Sequence, residues 1–119
     1  VATDGRVSVL FETKKRGSAE LCRTSDLNRK ALQEALLYYL RERVGKVMER
    51  EPNLKIKNIV ITDVDNWFVF DSRVFENAFF QDGVLTTAFA DFERGSLSAS
   101  RTEVFYTEIA KPAIDRHLD

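Results

Sequence analysis

Cysteine and histidine, which often carry metal or nucleophilic chemistry, are nearly absent from this sequence, which contains one of each. The single cysteine, Cys22, excludes an internal disulfide and fits a cytoplasmic protein, and a structural zinc site needs about four Cys or His ligands. A catalytic triad would have to use His117, on a C-terminal tail that we expect to fray. Metal chemistry would therefore rely on carboxylate and carbonyl oxygens, which favour hard ions such as Mg²⁺.

Long hydrophobic runs are also lacking, because no apolar stretch approaches the roughly 20 residues of a membrane-spanning helix. No signal-peptide pattern is visible and the first residue is Val1, so we expect a processed piece or a domain of a longer chain. The 119 residues are 44% hydrophobic and 31% charged, which predicts one folded domain with a modest core and no membrane partner.

Charge is divided unevenly along the chain, although the net charge is only −1. Residues 1–50 contain 11 Lys or Arg against 7 Asp or Glu, whereas residues 51–119 contain 7 against 12. This asymmetry is compatible with a polyanion bound by the first half, and equally with a solvated surface of mixed charge.

The hydrophobic pattern predicts a single mixed α/β domain, with its core over about residues 7–70 and a helical extension over about 71–119. A continuous apolar run at Val7–Thr13 is typical of a central strand covered on both faces. A long helix capped by Thr24 or Ser25 is expected over Asp26–Val44. The later elements are predicted as strands 55–62 and 67–70, a helix capped at Asp71 or Ser72 that ends near Phe80, and helices 85–92 and 102–111, the last kinked or ended by Pro112. The helical crossover predicts that the first two strands are parallel, and the third is expected to form a hairpin with the second.

Glu12 and Lys14 end the first strand two residues apart, so their side chains should share one face. At the carboxyl edge of an α/β sheet, a carboxylate can hold a divalent ion that polarises a phosphate, with the carbonyl of Thr13 as a neighbouring ligand. The lysine can orient a water molecule or neutralise developing charge, so the pair suits phosphodiester hydrolysis. The alternative is a strand end that carries two charges by chance.

A resemblance to the PD-(D/E)xK nuclease superfamily rests on the order of four stretches: FETKK, DLNRKALQEALLYYLRER, IKNIVITDVDNWFVFD and DFERGSLSASRTEVFYTEIAKP. More narrowly, the chain is similar to the N-terminal nuclease part of bacterial type IIG restriction-and-modification enzymes, which carry an adenine-specific DNA methyltransferase on the same chain. The resemblance implies a restriction-endonuclease-like mixed sheet with a long crossover helix. Thr62 and Trp67 match the hairpin turn of related nucleases, whereas the Asn-Gly of that turn is missing here.

The same resemblance implies a metal-dependent DNA endonuclease, a hydrolase with Glu12 and Lys14 as catalytic residues. Mg²⁺ or Mn²⁺ would be held by Glu12 and the Thr13 carbonyl. S-adenosylmethionine, the methyltransferase and the target-recognition domain would belong to other parts of the parent chain. The family also needs an Asp on the preceding strand, for which residues 1–6 leave no room. The missing ligand is therefore expected before Val1, unless Asp4, the only upstream acid, supplies it, and the domain alone would hold half of the metal site.

Further candidates surround this motif. Phosphate contacts are assigned to three basic residues, for which a solvated loop is an equally compatible interpretation: Lys15, Arg16 and Arg23. Glu34 and Gln33 on the long helix are candidates to face the site, but for both we favour a role outside it, which for Glu34 is a surface ion pair with basic residues of the same helix.

The tyrosines Tyr38 and Tyr39 are candidates for stacking on bases, although we favour core packing for both, and Trp67 is also predicted to be core. Three functions remain open from the sequence. They are a magnesium-dependent DNA endonuclease domain, a non-catalytic nuclease-like scaffold or DNA-binding module attached to a methyltransferase, and an unrelated α/β interaction domain.

Overall fold

The computed structural model describes residues 2–3, 6–44, 52–95 and 101–118, with side-chain surroundings for 8–44, 52–94 and 102–118. Its first elements are strands β1 (Ala2–Thr3), β2 (Arg6–Val7) and β3 (Val9–Thr13), helix α1 (Lys30–Val44), and strands β4 (Asn58–Thr62) and β5 (Trp67–Asp71). They are followed by helix α2 (Ser72–Phe75), a π-helical turn (Glu76–Phe80), helix α3 (Gly83–Gly95), helix α4 (Arg101–Val104), a second π-helical turn (Phe105–Ala110) and helix α5 (Lys111–Leu118). The mixed α/β class predicted from the sequence is confirmed.

Strands β3, β4 and β5 form one mixed sheet in that order. The β3–β4 pair is parallel and the β4–β5 pair is antiparallel, which confirms both predicted connections. The expectation of a central β3 covered on both faces is wrong, because among the described strands β3 pairs with β4 alone and Phe11 is 47% exposed. The apolar run is divided between the two faces of the sheet: Leu10 packs against the core, and Phe11 points to the other side.

A separate antiparallel pairing joins β1 to β2, with Ala2 opposite Val7 and Thr3 opposite Arg6. This pair is separate from the sheet that contains β3, so the described part of residues 1–6 supplies no partner strand for the strand of Glu12 and Lys14, as expected. Asp4 lies between these two strands and outside the described residues.

Helix α1 begins at Lys30, four positions later than the predicted start at Asp26. The predicted caps at Thr24 and Ser25 are wrong, because Arg23 and Asp26 exchange backbone hydrogen bonds and close a turn there. The helix α1 packs in several directions, because its buried residues lie on more than one side: Ala31, Leu32, Gln33, Ala35, Leu36, Leu37, Tyr39 and Leu40.

The C-terminal helices pack on α1 and share one core with the sheet. Phe75, Phe79 and Phe105 are fully buried in the same cluster as Leu36 and Ile61. None of the described helices is both long and apolar enough to cross a membrane.

Three local predictions in this region are decided by the structure. The Asp71 side chain accepts a hydrogen bond from the Arg73 amide, which confirms it as the cap of α2. The last helix does not end at Pro112 but continues as α5, because the preceding π-helical turn widens the hydrogen-bond spacing and accommodates the proline ring. The tail is not frayed at His117, whose Nε2 lies 2.8 Å from Oδ2 of Asp82.

Candidate active site

Glu12 and Lys14 share one face of the sheet, as the spacing predicts. Glu12 lies in register with Ile61, which is fully buried under α1, and Lys14 continues the row just beyond the end of β3. Their side chains are largely enclosed, with 11% of Glu12 and 15% of Lys14 exposed. The two charges therefore lie between the sheet edge and α1.

The ammonium group of Lys14 is bound by carboxylates from three parts of the chain. Its Nζ lies 2.6 Å from Oε1 of Glu34 on α1 and 2.7 Å from Oε1 of Glu20 in the preceding loop, but 3.8 Å from Oε1 of Glu12. Burial lowers the pKa of Lys14, yet hydrogen bonds to Glu20 and Glu34 outweigh it and raise the pKa above its usual range. Lys14 therefore stays positively charged, and its nearest partner is not the other motif residue.

The carboxyl groups of Glu12 and Glu34 interact with each other, and they can share a hydrogen bond only while one of them holds a proton. Burial raises the pKa of Glu12, and so do the hydrogen bond to Glu34 and the repulsion between the two charges. Lys14 acts in the opposite direction, and the pKa of Glu12 is about 7. A carboxyl group that titrates near neutral pH inside a charge cluster is typical of functional sites.

The prediction of a surface ion pair for Glu34 is wrong, because its side chain is 12% exposed and bonded to Lys14. The helical basic residues are paired elsewhere, Lys30 with Glu103 at 2.7 Å and Arg41 with Glu93 at 2.6 Å. Gln33, the other candidate from α1, does not reach the site and donates a hydrogen bond to Oδ1 of Asn28. One sequence signal for Glu34 does exist: it is a single carboxylate inside an apolar segment of α1.

The three basic residues predicted to flank the motif are all exposed on the loop that follows β3: Lys15, Arg16 and Arg23. Nε of Arg16 forms an ion pair with Oδ2 of Asp65 at 2.8 Å. The loop turns at Gly17, which has a positive φ of 77°. This turn carries the loop toward Asp63, whose carboxylate accepts hydrogen bonds from the amides of Asp65 and Asn66.

Of the three aromatic residues predicted to be core, one is buried and two are exposed. Tyr39 is buried in the core, as expected, but Tyr38 is 40% exposed and Trp67 is 59% exposed, so the core assignments of these two are wrong. The Trp67 indole donates to the carbonyl of Val64 and lies over the hairpin turn. Tyr38 lies one turn after Glu34, and its pKa is raised by burial and by the negative charge of Glu12 and Glu34.

Oxygen atoms near the motif match the preference of Mg²⁺ for hard ligands. The Lys14 amide donates to the carbonyl of Thr62, the register partner of Thr13. In a parallel pair this directs the Thr13 carbonyl away from β4, toward the outer edge of β3. The donor set of Glu12 and Thr13 thus fits the chemistry of Mg²⁺, although among the described residues no group of three or more acidic, His or Cys side chains could hold an ion.

Comparisons with known proteins give one relationship. No curated protein and no solved structure is similar enough to this chain to count as a match. A family model, in contrast, matches almost the whole chain, from residue 2 to residue 119. The chain therefore belongs to the family described as Domain of unknown function (DUF7149).

Proposed function

We propose that this domain supplies the active site of a cytoplasmic, Mg²⁺- or Mn²⁺-dependent DNA endonuclease, within a bacterial restriction-and-modification chain that also carries methyltransferase and target-recognition domains. The observation that carries the proposal is the meeting of Glu12, Lys14 and Glu34 in one enclosed cluster at the end of β3. The strand is followed by a long helix and a parallel strand, the order expected of such a nuclease.

The residues divide the chemistry between them. Glu12 and the Thr13 carbonyl would hold the ion, since Mg²⁺ in phosphoryl chemistry is often bound by one or two carboxylates, several waters and the phosphate itself. When bound, the ion would polarise the phosphate and lower the pKa of a water molecule. Lys14 stays charged, so we assign it to orienting that water and neutralising charge on the phosphate.

In a longer chain, the acidic residue that the resemblance requires before Glu12 would be carried by an N-terminal extension of β1. If such an extension kept the register of β1, the position before Ala2 would lie opposite Ser8. The positions before that one would lie opposite β3 and run antiparallel to it. That position is the outer edge of β3, toward which the Thr13 carbonyl is directed. In a longer chain, an Asp on such a strand would face the same ion as Glu12.

The test is a DNA cleavage assay with Mg²⁺ or Mn²⁺, performed on the longest chain that contains this domain. We expect Glu12→Ala or Lys14→Ala to lower the cleavage rate by about 10²–10³-fold, because each removes one electrostatic contribution to the reaction. Methyl transfer, measured on the same samples, should be unchanged. Matched controls are Glu108→Ala and Lys57→Ala, which change exposed side chains away from the cluster.

A non-catalytic scaffold or DNA-binding module is the second candidate. The observation that favours it is that the charged groups are already paired with one another: Lys14 lies close to the carboxylates of Glu20 and Glu34, and Glu34 also interacts with Glu12. Such a cluster would also serve to hold α1 on the sheet. Undiminished cleavage by both alanine variants would favour this candidate, and loss of cleavage and methylation together would indicate a structural role for β3.

A further inference from the structure

We propose that Glu34 is the positioning residue of Lys14, holding the ammonium group at a fixed place and away from Glu12. The inference rests on the proposed function for the role of Lys14 in the reaction. The contact itself rests on geometry alone, and nothing in the nuclease motif calls for it.

The distances show which carboxylate controls the ammonium group. Nζ of Lys14 is 2.6 Å from Glu34 but 3.8 Å from Glu12, although Glu12 is on the same strand and face. A lysine side chain is a flexible four-carbon chain that ends in a compact charge, so an unpaired ammonium would sample many positions. Glu34 therefore selects one position among them.

Glu20 also binds the ammonium, but it is less suited to fix it. Glu20 is 43% exposed, lies in a loop and lies 3.7 Å from a second lysine, Lys30. Glu34 is 12% exposed and sits on a helix whose neighbouring residues Ala35 and Leu36 are buried. A carboxylate on a rigid, packed element positions a partner more precisely than one on an exposed loop.

The first turns of α1, which carry Glu34, are hydrogen-bonded to other parts of the fold. Gln33 donates to Oδ1 of Asn28, and Nδ2 of Asn28 donates to the carbonyl of Lys111 and to Asp115. The Ala31 amide donates to the backbone carbonyl of Glu20. The turn of α1 that carries Glu34 is thus fixed from both α5 and the loop.

The consequence for the site is a separation of charges. With Glu34 present, the Lys14 ammonium is bound without closing on Glu12, whose carboxyl group interacts with Glu34 more than with the lysine. Without the charge of Glu34, the nearest buried carboxylate for the ammonium is Glu12. The motif lysine would then neutralise the motif glutamate, and both proposed roles would be lost.

The first experiment observes the Lys14 ammonium directly, by proton–nitrogen NMR of lysine side chains in the 119-residue protein. We expect a Lys14 signal that exchanges slowly with water, and Glu34→Gln should speed its exchange about tenfold, because a charge-assisted hydrogen bond is replaced by a weaker neutral one. Glu34→Asp, which keeps the charge, should restore part of the protection. The matched variant Glu20→Gln should change exchange by less than about twofold, because its carboxylate is exposed. Unchanged exchange in Glu34→Gln, or an equal effect of Glu20→Gln, would overturn the inference.

The second experiment measures cleavage kinetics of the same variants in the longer chain. Glu34→Gln should lower kcat and leave KM nearly unchanged, because the ammonium is needed where charge develops in the transition state. Faster Lys14 exchange with an unaltered kcat would overturn the role in the reaction. If the unmodified chain cleaves no DNA, the proposed function fails and the reaction role with it, while the NMR result still decides whether Glu34 positions the ammonium.

Discussion

Replacing Glu12 by glutamine should stabilise the domain at alkaline pH and have little effect at acidic pH. Burial and the neighbouring Glu34 raise the pKa of Glu12 from 4.5 to about 7 in the folded protein. Between those values the folded state holds a proton that the unfolded chain has already released, so stability falls as the pH rises through this window. Glutamine is the uncharged isostere and removes this loss.

The expected magnitude follows from the size of the shift. One pKa unit corresponds to about 1.4 kcal/mol, so a rise from 4.5 to about 7 amounts to roughly 3 kcal/mol lost between pH 4.5 and pH 8. The side chain of Glu12 is only 11% exposed, so solvent screens this effect little. The attraction of the ionised carboxylate to Lys14 is already contained in this figure, because it lowers the pKa of Glu12.

The assay is urea unfolding of the unmodified protein and of Glu12→Gln at several pH values between 4 and 8.5. The difference in unfolding free energy should be near zero at pH 4.5 and should grow in favour of the variant up to about pH 8. Glu108→Gln, at an exposed carboxyl group, should show no such growth. A Glu12→Gln variant that is equally destabilised at every pH would refute the reasoning, because it would mean that the ionised carboxylate is well solvated by the fold.

Three further predictions concern the rest of the fold. Asp82→Ala should destabilise the domain by about 2–3 kcal/mol in urea unfolding, because Asp82 caps α3 and binds Arg116 and His117. A loss of unfolding free energy below about 0.5 kcal/mol would show that these contacts between α3 and α5 contribute little. Phe75→Ala should cost about 3–5 kcal/mol, since the ring is fully buried against Tyr39, Phe70 and Phe79, and an unchanged melting temperature would contradict that packing. Cys22 should resist iodoacetamide at pH 8 until the protein is denatured, because burial raises the pKa of its thiol to about 11 and leaves about one thiolate in a thousand. Alkylation is measured by mass spectrometry, and rapid alkylation of the native protein would argue against that burial.

The sheet order and the shared face of Glu12 and Lys14 were accessible from sequence because they depend on short-range rules. A spacing of two on a strand fixes the face, and a helical crossover fixes parallel pairing. The start of α1 was not accessible in this way. Asn28 is held outside the helix by Lys111, which is 83 residues away in the chain. Local capping preferences at Thr24 and Ser25 carry no information about such a partner.

Glu34 and Trp67 show why the candidate site was only half predictable. The helical pattern places Glu34 on a polar stripe with Lys30, but it cannot tell that this stripe crosses the end of β3, where Lys14 is the better partner. For Trp67 the sequence shows an aromatic residue at the start of a strand. Whether its face is covered depends on which elements lie on that side of the sheet, and those are set by the whole topology.

The three carboxyl groups around Lys14 have a consequence for how a divalent cation and DNA affect each other's binding. One ammonium stands against Glu12, Glu20 and Glu34, so these four side chains carry a net negative charge whether or not Glu12 keeps its proton, and Lys30, 3.7 Å from Glu20, offsets only part of it when Glu12 is ionised. A phosphodiester brought to this place on its own meets repulsion that is screened by salt only where the cluster is open to solvent. We therefore expect the divalent cation and DNA to bind with positive coupling, each raising the affinity for the other, so that the domain without its ion binds DNA weakly.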